Sequence, residues 1–382
     1  MSSDDCSTTL DSLCYGESCG SRIYTQVIFP LLGALDPELS HHLALMLARP
    51  CNLSYCAVIL RRLLAVEDPR LRVEIAGLHF DNPIGLAAGF DKNCSAPGLW
   101  HALGFGHVEY GTITAAPQPG NPRPRIFRLL QDTALINRMG FPSLGIDTVS
   151  ARLAALRRSG VHRIVGVNIG KTKTTPLERA FEDYVYSFQQ VSECADYVAV
   201  NVSSPNTPEL RKLQEPTRLA ELFAGLREVN AANVPIFVKL APDLSANDLE
   251  ATLKCCLEHG VAGVIAVNTT LQRDGLHTQI DQSGGLSGSP LTARARQFVA
   301  KVYSYTAGEL PIIGIGGIMC PGDAIRMLRA GASLIQVYTG FVYRGPCFVR
   351  DLNRAIQDYL SNTGTVLGDL IGADVKQIVQ TS

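Results

Sequence analysis

The chain has 382 residues, of which 46 % are hydrophobic and 18 % are charged, and its formal net charge is −1. This length suits two average domains or one α/β barrel, which commonly runs to about 250 residues. The charge shows neither the basic excess typical of nucleic-acid binding nor the acidic excess typical of disorder. We therefore expect a folded protein with a small neutral or anionic ligand and no nucleic-acid partner.

The 11 cysteines are scattered along the sequence. Cys14 and Cys19 are separated by four residues, as are Cys51 and Cys56, and no C-x-x-C pair occurs. This spacing supports neither an iron–sulfur site nor a disulfide framework. We predict mostly reduced thiols and no metal.

The amino-terminal segment, residues 1–21, is predicted to be disordered. Its acidic residues Asp4, Asp5, Asp11 and Glu17 are unlike those of a mitochondrial transit peptide, and it lacks the apolar centre of a secretion signal. No apolar run in the sequence approaches the roughly 18 to 20 residues needed to cross a bilayer. We expect that the sequence as given does not span a membrane.

Residues 22–66 are predicted to form two or three short helices, over 22–35, 37–48 and 53–66, because apolar residues recur there at helical spacing. Their apolar surface is large for so small a unit. Such a surface is typical of helices that lie on lipid headgroups or admit an apolar ligand. It is also typical of helices that dock on a main domain, here residues 67–382, and the pattern alone favours docking.

Eight short apolar runs alternate with helical stretches from residue 83 onward. The runs cover 83–88, 107–112, 163–168, 196–201, 235–240, 262–268, 312–317 and 333–339. This alternation predicts an α/β fold of the (β/α)8 or TIM barrel type, with an open doubly wound sheet as the alternative.

Polar residues stand at the ends of several of these runs. Asn168, Asn201, Lys239 and Asn268 interrupt or terminate runs where packing alone would favour Val or Ile. Polar strand ends face the active site in barrel enzymes, so we expect these side chains to converge. A lysine within an apolar strand needs an anionic or hydrogen-bonding partner. Lys239 would either form a Schiff base or support a cofactor that becomes negative when reduced.

Glycines after the seventh and eighth runs predict an anion site, because they let backbone N–H groups approach phosphate oxygens in loops that often bind phosphate. The residues of these two strand ends are Gly314, Gly316, Gly317, Tyr338, Thr339 and Gly340. Tight turns are the alternative explanation.

After the first run, the small residues Ala87, Ala88 and Gly89 would admit a flat ring, and Lys92 would reach a ligand carboxylate.

The run NVSSPNT, residues 201–207, places Ser204 between Asn201 and Asn206 at the end of the fourth predicted strand. A hydroxyl among amide side chains at that position suggests a site that orients a polar ligand and moves one of its protons. A turn rich in Asn and Ser is the alternative.

Ten separated segments are similar to those of the dihydroorotate dehydrogenases, and the resemblance runs from about residue 22 to the carboxyl terminus. The segments are NPIGLAAGFDKN (82–93), GNPRPRIFRL (120–129), INRMGF (136–141), GVNIGK (166–171), NVSSPNTPELR (201–211), VKLAPDL (238–244), NTT (268–270), GGLSGSPL (284–291), GIGGI (314–318) and QVYTG (336–340). Ser204 and the helical extension resemble the quinone-reducing, membrane-associated class, since the soluble classes carry a cysteine at that place.

The resemblance implies oxidation of (S)-dihydroorotate to orotate in de novo pyrimidine biosynthesis, with electrons passing to ubiquinone through bound FMN. Lys239 would then stabilise the negative charge of reduced flavin, so the Schiff base is set aside. The implied flavin contacts are Ala87, Ala88, Gly89, Lys92, Gly111, Thr112, Asn137, Asn168, Asn201, Lys239, Val267, Asn268, Ser287, Gly288, Gly316, Gly317, Val337, Tyr338, Thr339 and Gly340.

The same resemblance implies that Ser204 is the catalytic base. It would take a proton from C5 of dihydroorotate and hand it on past Thr207 and Phe141. Lys92 would pair with the carboxylate of the substrate, and asparagines would match the imide edges of its ring. The implied substrate contacts are Lys92, Asn137, Arg138, Met139, Gly140, Phe141, Asn201, Asn206, Asn268 and Thr269.

The helical extension is implied to form a tunnel through which ubiquinone reaches the flavin. The implied tunnel residues are Leu31, Leu32, His41, Leu43, Phe90, Arg128, Tyr338 and Val342. The sequence departs from the animal pattern at Leu32, where a glutamine is expected, and at Phe341 and Val342. We expect a monomer whose helices meet a membrane surface, the mitochondrial inner membrane in a eukaryote or the cytoplasmic membrane in a bacterium.

Three other functional classes stay open on the sequence alone. A soluble flavin dehydrogenase using fumarate or NAD would share the barrel but lack the extension. A barrel aldolase or sugar-phosphate isomerase would be colourless, and a non-catalytic binding module would need no converging polar strand ends.

Overall fold

A computed structural model describes residues 10–14, 18–48, 54–160 and 163–381. Its centre is a closed barrel of eight parallel strands, which confirms the predicted (β/α)8 barrel. The strands of the described residues are β1 (Val73–Ile75), β2 (Leu78–Phe80), β3 (Ile84–Leu86), β4 (His107–Thr114), β5 (Ile126–Leu129), β6 (Ala134–Asn137), β7 (Ile164–Gly170), β8 (Tyr197–Asn201), β9 (Ile236–Leu240), β10 (Gly263–Ala266), β11 (Gly285–Gly288), β12 (Ile312–Ile315) and β13 (Leu334–Val337).

The barrel strands follow one another in the order β3, β4, β7, β8, β9, β10, β12 and β13, and β13 pairs with β3 to close the ring. Each predicted apolar run overlaps one of these strands. The runs are almost continuously apolar because both faces of a barrel strand are covered. The register sets Asn201 of β8 beside Lys239 of β9, and Asn168 of β7 beside Gly111 of β4. The polar strand ends therefore meet at one end of the barrel.

The amino-terminal end of the barrel is filled by apolar packing. The antiparallel hairpin of β1 and β2 brings Ile75 and Phe80 against Tyr197, Phe237 and Ile313. All five side chains are buried. This end is a packed core rather than a pore.

Helices surround the barrel. The α-helices of the described residues are α1 (Cys19–Ile23), α2 (Phe29–Gly33), α3 (Pro37–Ala48), α4 (Ser54–Leu64), α5 (Pro97–Ala102), α6 (Ile146–Arg158), α7 (Ala180–Val191), α8 (Pro216–Val229), α9 (Ala246–Glu258), α10 (Thr292–Thr306), α11 (Pro321–Arg329), α12 (Thr339–Arg344), α13 (Phe348–Thr363), α14 (Leu367–Leu370) and α15 (Val375–Gln380). In α13, Phe348, Leu352, Ile356 and Tyr359 recur at helical spacing and are buried, which gives the helix one apolar face toward the core.

A second sheet, of antiparallel strands β5, β6 and β11, adds a wall at the carboxyl-terminal end of the barrel. Asn137 of β6 pairs with Ile126 of β5 on one side and with Gly285 of β11 on the other. The sequence patterns do not predict this sheet, because β11 lies far along the chain from its partner.

The helical extension begins before residue 22. Helix α1, a π-helical turn over Tyr24–Ile28 and α2 follow one another without interruption. Pro30 lies in the first turn of α2, directly after the π-helical turn, and the helical segment continues through it. Among the described residues, no helix is long and apolar enough to cross a membrane.

The predicted disorder of residues 1–21 does not hold for the part of this segment that is described. Leu10 is buried in the main core, and Cys14 is disulfide-bonded to Cys320. This bond is an exception to the predicted reduced thiols, whereas the seven other described cysteines are free. A pairing across 306 residues leaves no spacing signal in the sequence. Residues 1–9 and 15–17 lie outside the described residues.

Candidate active site

A cavity opens at the carboxyl-terminal end of the barrel, between the strand ends and the sheet of β5, β6 and β11. The space that it encloses, counted together with its open mouth, is about 1110 Å³. The lining residues are Ala88, Gly89, Lys92, Thr112, Ile126, Leu135, Asn137, Met139, Gly140, Phe141, Asn201, Ser204, Asn206, Lys239, Val267, Asn268, Thr269, Ser287, Gly288, Leu291, Ile315, Gly316, Gly317, Ile318, Met319, Gln336, Val337, Tyr338, Thr339 and Gly340.

Most of the predicted substrate and flavin contacts line this cavity, including Ser204, Lys92 and Lys239. The exceptions are Ala87, Gly111, Arg138 and Asn168.

Two of these exceptions, Arg138 and Asn168, have side chains that are engaged in contacts within the protein. The guanidinium of Arg138 lies 4.8 Å from the ring centre of Phe127 and donates hydrogen bonds to Gln282 Oε1 at 2.8 Å and Pro124 O at 3.0 Å. Asn168 is fully buried one layer below the cavity. These positions favour a supporting role for both residues rather than direct ligand contact.

The amide side chains at the strand ends form one hydrogen-bonded layer. Asn201 Nδ2 donates to Thr112 Oγ1 at 2.9 Å and to Asn168 Oδ1 at 3.3 Å. Asn268 Nδ2 donates to Ser203 Oγ at 2.9 Å. Because these bonds fix the orientation of each amide, the layer presents a defined pattern of donors and acceptors to a polar ring.

Lys239 lies above a buried carboxylate that the sequence patterns missed. Its Nζ is 4.0 Å from Oε1 of Glu109, and both side chains are almost completely buried. Glu109 accepts hydrogen bonds from Asn168 Nδ2 at 2.8 Å, Gln336 Nε2 at 2.8 Å and Tyr197 OH at 3.1 Å. Burial lowers the pKa of Lys239, and the carboxylate of Glu109 opposes that shift. The arrangement places a lysine with a nearby counter-charge at the cavity floor.

Lys92 is the second lysine that lines the cavity. Its Nζ donates a hydrogen bond to Gly89 O at 2.6 Å. Burial and then the nearby Arg125 lower the pKa of Lys92 to about 8, while the carboxylates of Glu38 and Asp91 oppose the shift. Lys92 is therefore mostly protonated at pH 7 and can pair with a ligand carboxylate.

Ser204 faces the cavity in the loop that follows β8. Its hydroxyl oxygen accepts a hydrogen bond from the backbone N–H of Asn206 at 3.2 Å, and Asn206 Nδ2 donates to Asn137 O at 3.1 Å. Two nearby buried hydroxyls, those of Thr207 and Thr269, have no partner among the described residues. Such hydroxyls are unfavourable unless a ligand or water completes their hydrogen bonds.

No aspartate, glutamate or histidine lines the cavity within the part of the chain that the structure describes. The groups of the lining that could exchange a proton with a ligand are therefore the two lysines and the hydroxyls of Thr112, Ser204, Thr269, Ser287, Tyr338 and Thr339.

The predicted anion site lies at one end of the same cavity. A side chain at Gly317 would place its Cβ 2.2 Å from Thr292 Cα, and one at Gly340 would place its Cβ 2.1 Å from Ile318 O. The hydroxyls of Ser287 and Thr339 lie 2.8 Å apart beside these glycines. Only glycine lets the backbone pass so close, and the result is a pocket rich in hydroxyl and backbone donors.

A second cavity, of about 990 Å³, lies between the helical extension and the barrel. Its lining residues are Tyr24, Phe29, Leu32, Pro37, Ser40, His41, Ala44, Phe90, Leu99, Trp100, Leu103, Ile126, Arg128, Leu135, Tyr338, Phe341, Val342, Gly345 and Pro346. Ile126, Leu135 and Tyr338 line both cavities. The two cavities are therefore separated by no more than a few side chains.

The second cavity is apolar with few charged groups. Burial, together with the positive charge of Lys92, lowers the pKa of His41 to about 3, so its ring is neutral near pH 7. Arg128 donates hydrogen bonds to the backbone oxygens of Gly33 at 3.2 Å and Leu35 at 2.7 Å. Of the predicted tunnel residues, Leu31 and Leu43 do not line the cavity, and Leu31 is 70 % exposed.

Docking on the barrel does not account for the whole apolar surface of the extension. Large apolar side chains on its outer side remain exposed, and Leu47 is 78 % and Tyr55 87 % exposed. The others are Ile23, Val27, Ile28, Leu31, Leu35, Leu39, Met46, Val58, Ile59 and Leu63. So many exposed large apolar side chains in one small unit are typical of an interaction site.

Seven residues line the cavity that the sequence patterns did not single out. They are Ile126, Leu135, Leu291, Ile315, Ile318, Met319 and Gln336. Gln336 carried a usable signal, because it is a polar residue inside an apolar strand, as Lys239 is. The apolar residues carried none, since lining and core residues look alike in a sequence.

Comparison with known proteins places the chain in a family. The family model described as dihydroorotate dehydrogenase matches residues 70–360. The chain is similar to proteins named dihydroorotate dehydrogenase (quinone) from Gloeobacter violaceus, at 48 % identity over 88 % of this chain and 94 % of the relative. Salinispora arenicola has a relative of the same name, at 52 % identity over 86 % of this chain and 96 % of the relative.

Solved structures agree with these relatives. A crystal structure of DHODH from Eimeria tenella in complex with ferulenol is similar at a TM-score of 0.82 and 37 % identity, covering 90 % of this chain and 98 % of that chain. The ligand-free form from the same organism gives a TM-score of 0.81 at 39 % identity, covering 89 % of this chain and 99 % of that chain. Together with the barrel and its amide-lined cavity, these matches show that the chain belongs to the dihydroorotate dehydrogenase family.

Proposed function

We propose that this protein oxidises (S)-dihydroorotate to orotate, a step of pyrimidine biosynthesis, and passes the electrons to a quinone. The observation that carries the proposal is the pair of adjoining cavities. One is lined by amides, hydroxyls and two lysines, the other is apolar, and Tyr338 lines both. The relatives are named for a quinone as acceptor, and an apolar cavity beside the polar one suits such an acceptor.

The proposed cofactor is FMN, and the cavity fits it. A side chain at Gly317 or Gly340 would collide with neighbouring backbone, and one at Gly316 would press against Leu291 and Ala295. The close backbone that these glycines allow would offer N–H groups to a phosphate. The amide layer beneath the cavity and Lys239 with its counter-charge suit a flavin ring. When bound, FMN would accept the hydride that leaves C6 of dihydroorotate and later release the electrons to the quinone. Lys239 would supply positive charge where the ring becomes negative.

The substrate would lie between Lys92 and the amides of Asn137, Asn206 and Asn268. Lys92 would bind the carboxylate of dihydroorotate, because it lines the cavity and is mostly protonated at pH 7. The asparagines would match the donors and acceptors of the pyrimidine ring. Their mutual hydrogen bonds would hold the ring in one orientation before any reaction occurs.

Ser204 is proposed to take the proton from C5 of dihydroorotate. A serine hydroxyl is a very weak base near neutral pH, so it must pass its own proton on as it accepts one. The buried hydroxyl of Thr207, three residues further along, has no partner among the described residues and could receive it. Phe141 also lines the cavity and would limit the access of water.

The apolar cavity is proposed to hold the head of ubiquinone, between His41, Arg128 and Tyr338. Leu32 lines this cavity where the animal pattern has a glutamine, so one hydrogen-bonding group for the quinone head is lost. The division of the chain into an amino-terminal segment, a quinone-binding extension (22–66) and a catalytic barrel (67–382) is part of this proposal.

We further propose that the exposed apolar side of the extension rests on a membrane surface and that the protein is a monomer. The helices would lie in the lipid headgroup layer, with their apolar side chains toward the acyl chains. Gloeobacter and Salinispora are bacteria, so these relatives favour the periphery of the cytoplasmic membrane, and the expected mitochondrial location has no support from them.

An absorption spectrum of the purified protein tests this function. We expect the two visible bands of an oxidised flavin, FMN as the released cofactor, and bleaching of the bands when dihydroorotate is added without oxygen. A colourless protein, or a yellow one that dihydroorotate leaves unchanged, would contradict the proposal.

A further inference from the structure

The helical extension is joined to the barrel by a buried ion pair between Glu38 of α3 and Arg125, which directly precedes β5. Arg125 Nη2 donates to Glu38 Oε1 at 2.7 Å, and its Nε donates to Oε2 at 3.0 Å. Both side chains are 7 % exposed. Arg123, which is largely exposed, adds a contact to Oε1 at 2.9 Å. Burial opposes ionisation of Glu38, but the bonds from Arg125 hold its pKa below the usual value.

The same arginine holds the loop that borders the substrate cavity. Arg125 Nη1 donates to Pro119 O at 2.7 Å and to Asn121 O at 2.9 Å. Asn121 Nδ2 in turn donates to Asn206 O at 3.2 Å. Asn206 lines the cavity and bonds to Asn137. A continuous set of hydrogen bonds therefore runs from Glu38 in the extension to the amides of the substrate wall.

Arg125 also acts on Lys92 through its charge. Four ionisable groups affect or face Lys92: Arg125 before β5, Glu38 and His41 of α3, and the adjacent Asp91. His41 is neutral near pH 7. Arg125 disfavours the charged form of Lys92, and Glu38 and Asp91 favour it. Without the carboxylate of Glu38, the positive charge of Arg125 would lower the pKa of Lys92 further.

We propose that Glu38 is a positioning residue for the substrate, which fixes the 119–125 loop and neutralises Arg125 so that Lys92 keeps its positive charge for the substrate carboxylate. The inference rests on the proposed dihydroorotate site. It gives the extension a part in substrate binding, in addition to the proposed binding of quinone. Removal of Glu38 should therefore weaken substrate binding while leaving the chemical step at saturation intact.

The test compares holoenzyme variants from pH 6 to pH 9. The variants are Glu38→Gln, which removes the charge, Glu38→Asp, which keeps it, and Glu67→Gln as control. Glu67 follows α4, pairs with Arg61 at 2.8 Å and is 70 % exposed. Two quantities are measured: the dissociation constant of orotate by calorimetry, and the limiting rate of flavin bleaching by dihydroorotate in stopped flow without oxygen.

Glu38→Gln should weaken orotate binding about five-fold at pH 8, because a pKa of Lys92 lowered by about one unit from its value of about 8 reduces the protonated fraction from about a half to about a tenth. The affinity for orotate should begin to fall at a lower pH than in the unmodified protein. The limiting rate of flavin bleaching should stay within about two-fold of the rate of the unmodified protein. Glu38→Asp should restore the pH profile, and Glu67→Gln should match the unmodified protein. An unchanged pH profile in Glu38→Gln, or a lower limiting rate with unchanged affinity, would overturn the inference.

If Glu38→Gln does not fold, the double variant Glu38→Gln with Arg125→Gln carries the test, since it leaves no buried charge unpaired. Arg125 lowers the pKa of Lys92 more than Glu38 raises it, so loss of both charges should raise this pKa. The affinity for orotate should then begin to fall at a higher pH than in the unmodified protein. A fall at the same or a lower pH would overturn the inference. Failure of the unmodified protein to be bleached by dihydroorotate would instead refute the proposed function.

Discussion

Replacement of Glu109 by glutamine should strongly destabilise the protein through Lys239. Glu109 is fully buried, accepts three hydrogen bonds and lies 4.0 Å from Lys239 Nζ. Glutamine has nearly the same shape but leaves the ammonium group of Lys239 without a counter-charge. Breaking a buried pair in this way costs about 3–5 kcal/mol. The new amide group would also face donors from Asn168 and Gln336, which adds to the loss.

The destabilisation should depend on pH with a predictable sign. Burial already holds the pKa of folded Lys239 below its unfolded value, and loss of Glu109 lowers it further. Between the pKa of Lys239 in the folded variant and its pKa in the unfolded chain, the unfolded chain binds more protons than the folded one. The free energy of unfolding of the variant therefore rises with pH in this range. The slope approaches about 1.4 kcal/mol per pH unit. The defect of Glu109→Gln should therefore be largest at low pH, shrink as the pH rises from the folded pKa of Lys239 in the variant to that in the unmodified protein, and stay constant above it.

Urea unfolding of the holoenzyme at several pH values, followed by flavin release and circular dichroism, measures this effect. Glu109→Gln together with Lys239→Met should be more stable than Glu109→Gln alone, because the unpaired charge is gone. Glu182→Gln is the control, since Glu182 is exposed and pairs only with Arg179 among the contacts described. A defect of less than about 1 kcal/mol, or one independent of pH, would refute the reasoning.

Three further outcomes follow from the same geometry. Ser204→Ala should slow flavin bleaching by dihydroorotate about 100-fold or more while flavin stays bound, and near-normal stopped-flow bleaching would count against Ser204 as the base. The KM for dihydroorotate should rise above pH 8 as Lys92 loses its proton, with kcat unchanged; a flat KM up to pH 9 would exclude this role. Leu47→Glu should reduce flotation with anionic liposomes, whereas the same change at Leu257 on α9 should not; equal flotation would argue against membrane contact.

The barrel was predictable because its signal is local. Each strand is an apolar run a few residues long, and residues such as Asn201 and Lys239 stand out at the ends of these runs. Parallel strands bring those ends together without further information, so a cluster of polar groups follows from the pattern.

Other features depend on contacts that no local pattern encodes. Glu109 appears in HVEYGT as one polar residue in a strand, and only the closed barrel shows that it lies under Lys239. The pairing of β11 with β6 and the bond between Cys14 and Cys320 join distant parts of the chain. The family resemblance implies Leu31 as a tunnel residue, whereas the structure leaves it 70 % exposed; a matching position in the chain does not fix which face of a helix the side chain occupies.

We propose that electrons pass from dihydroorotate, bound in the polar cavity, to a quinone bound in the adjoining apolar cavity. A sequential-mixing experiment tests it most directly: the flavin is bleached with dihydroorotate in the absence of oxygen, and a short-chain ubiquinone, fumarate or NAD is then added. We expect ubiquinone to restore the flavin absorption rapidly and fumarate and NAD to leave it bleached. Rapid recovery with fumarate or NAD, or no recovery with ubiquinone, would contradict it.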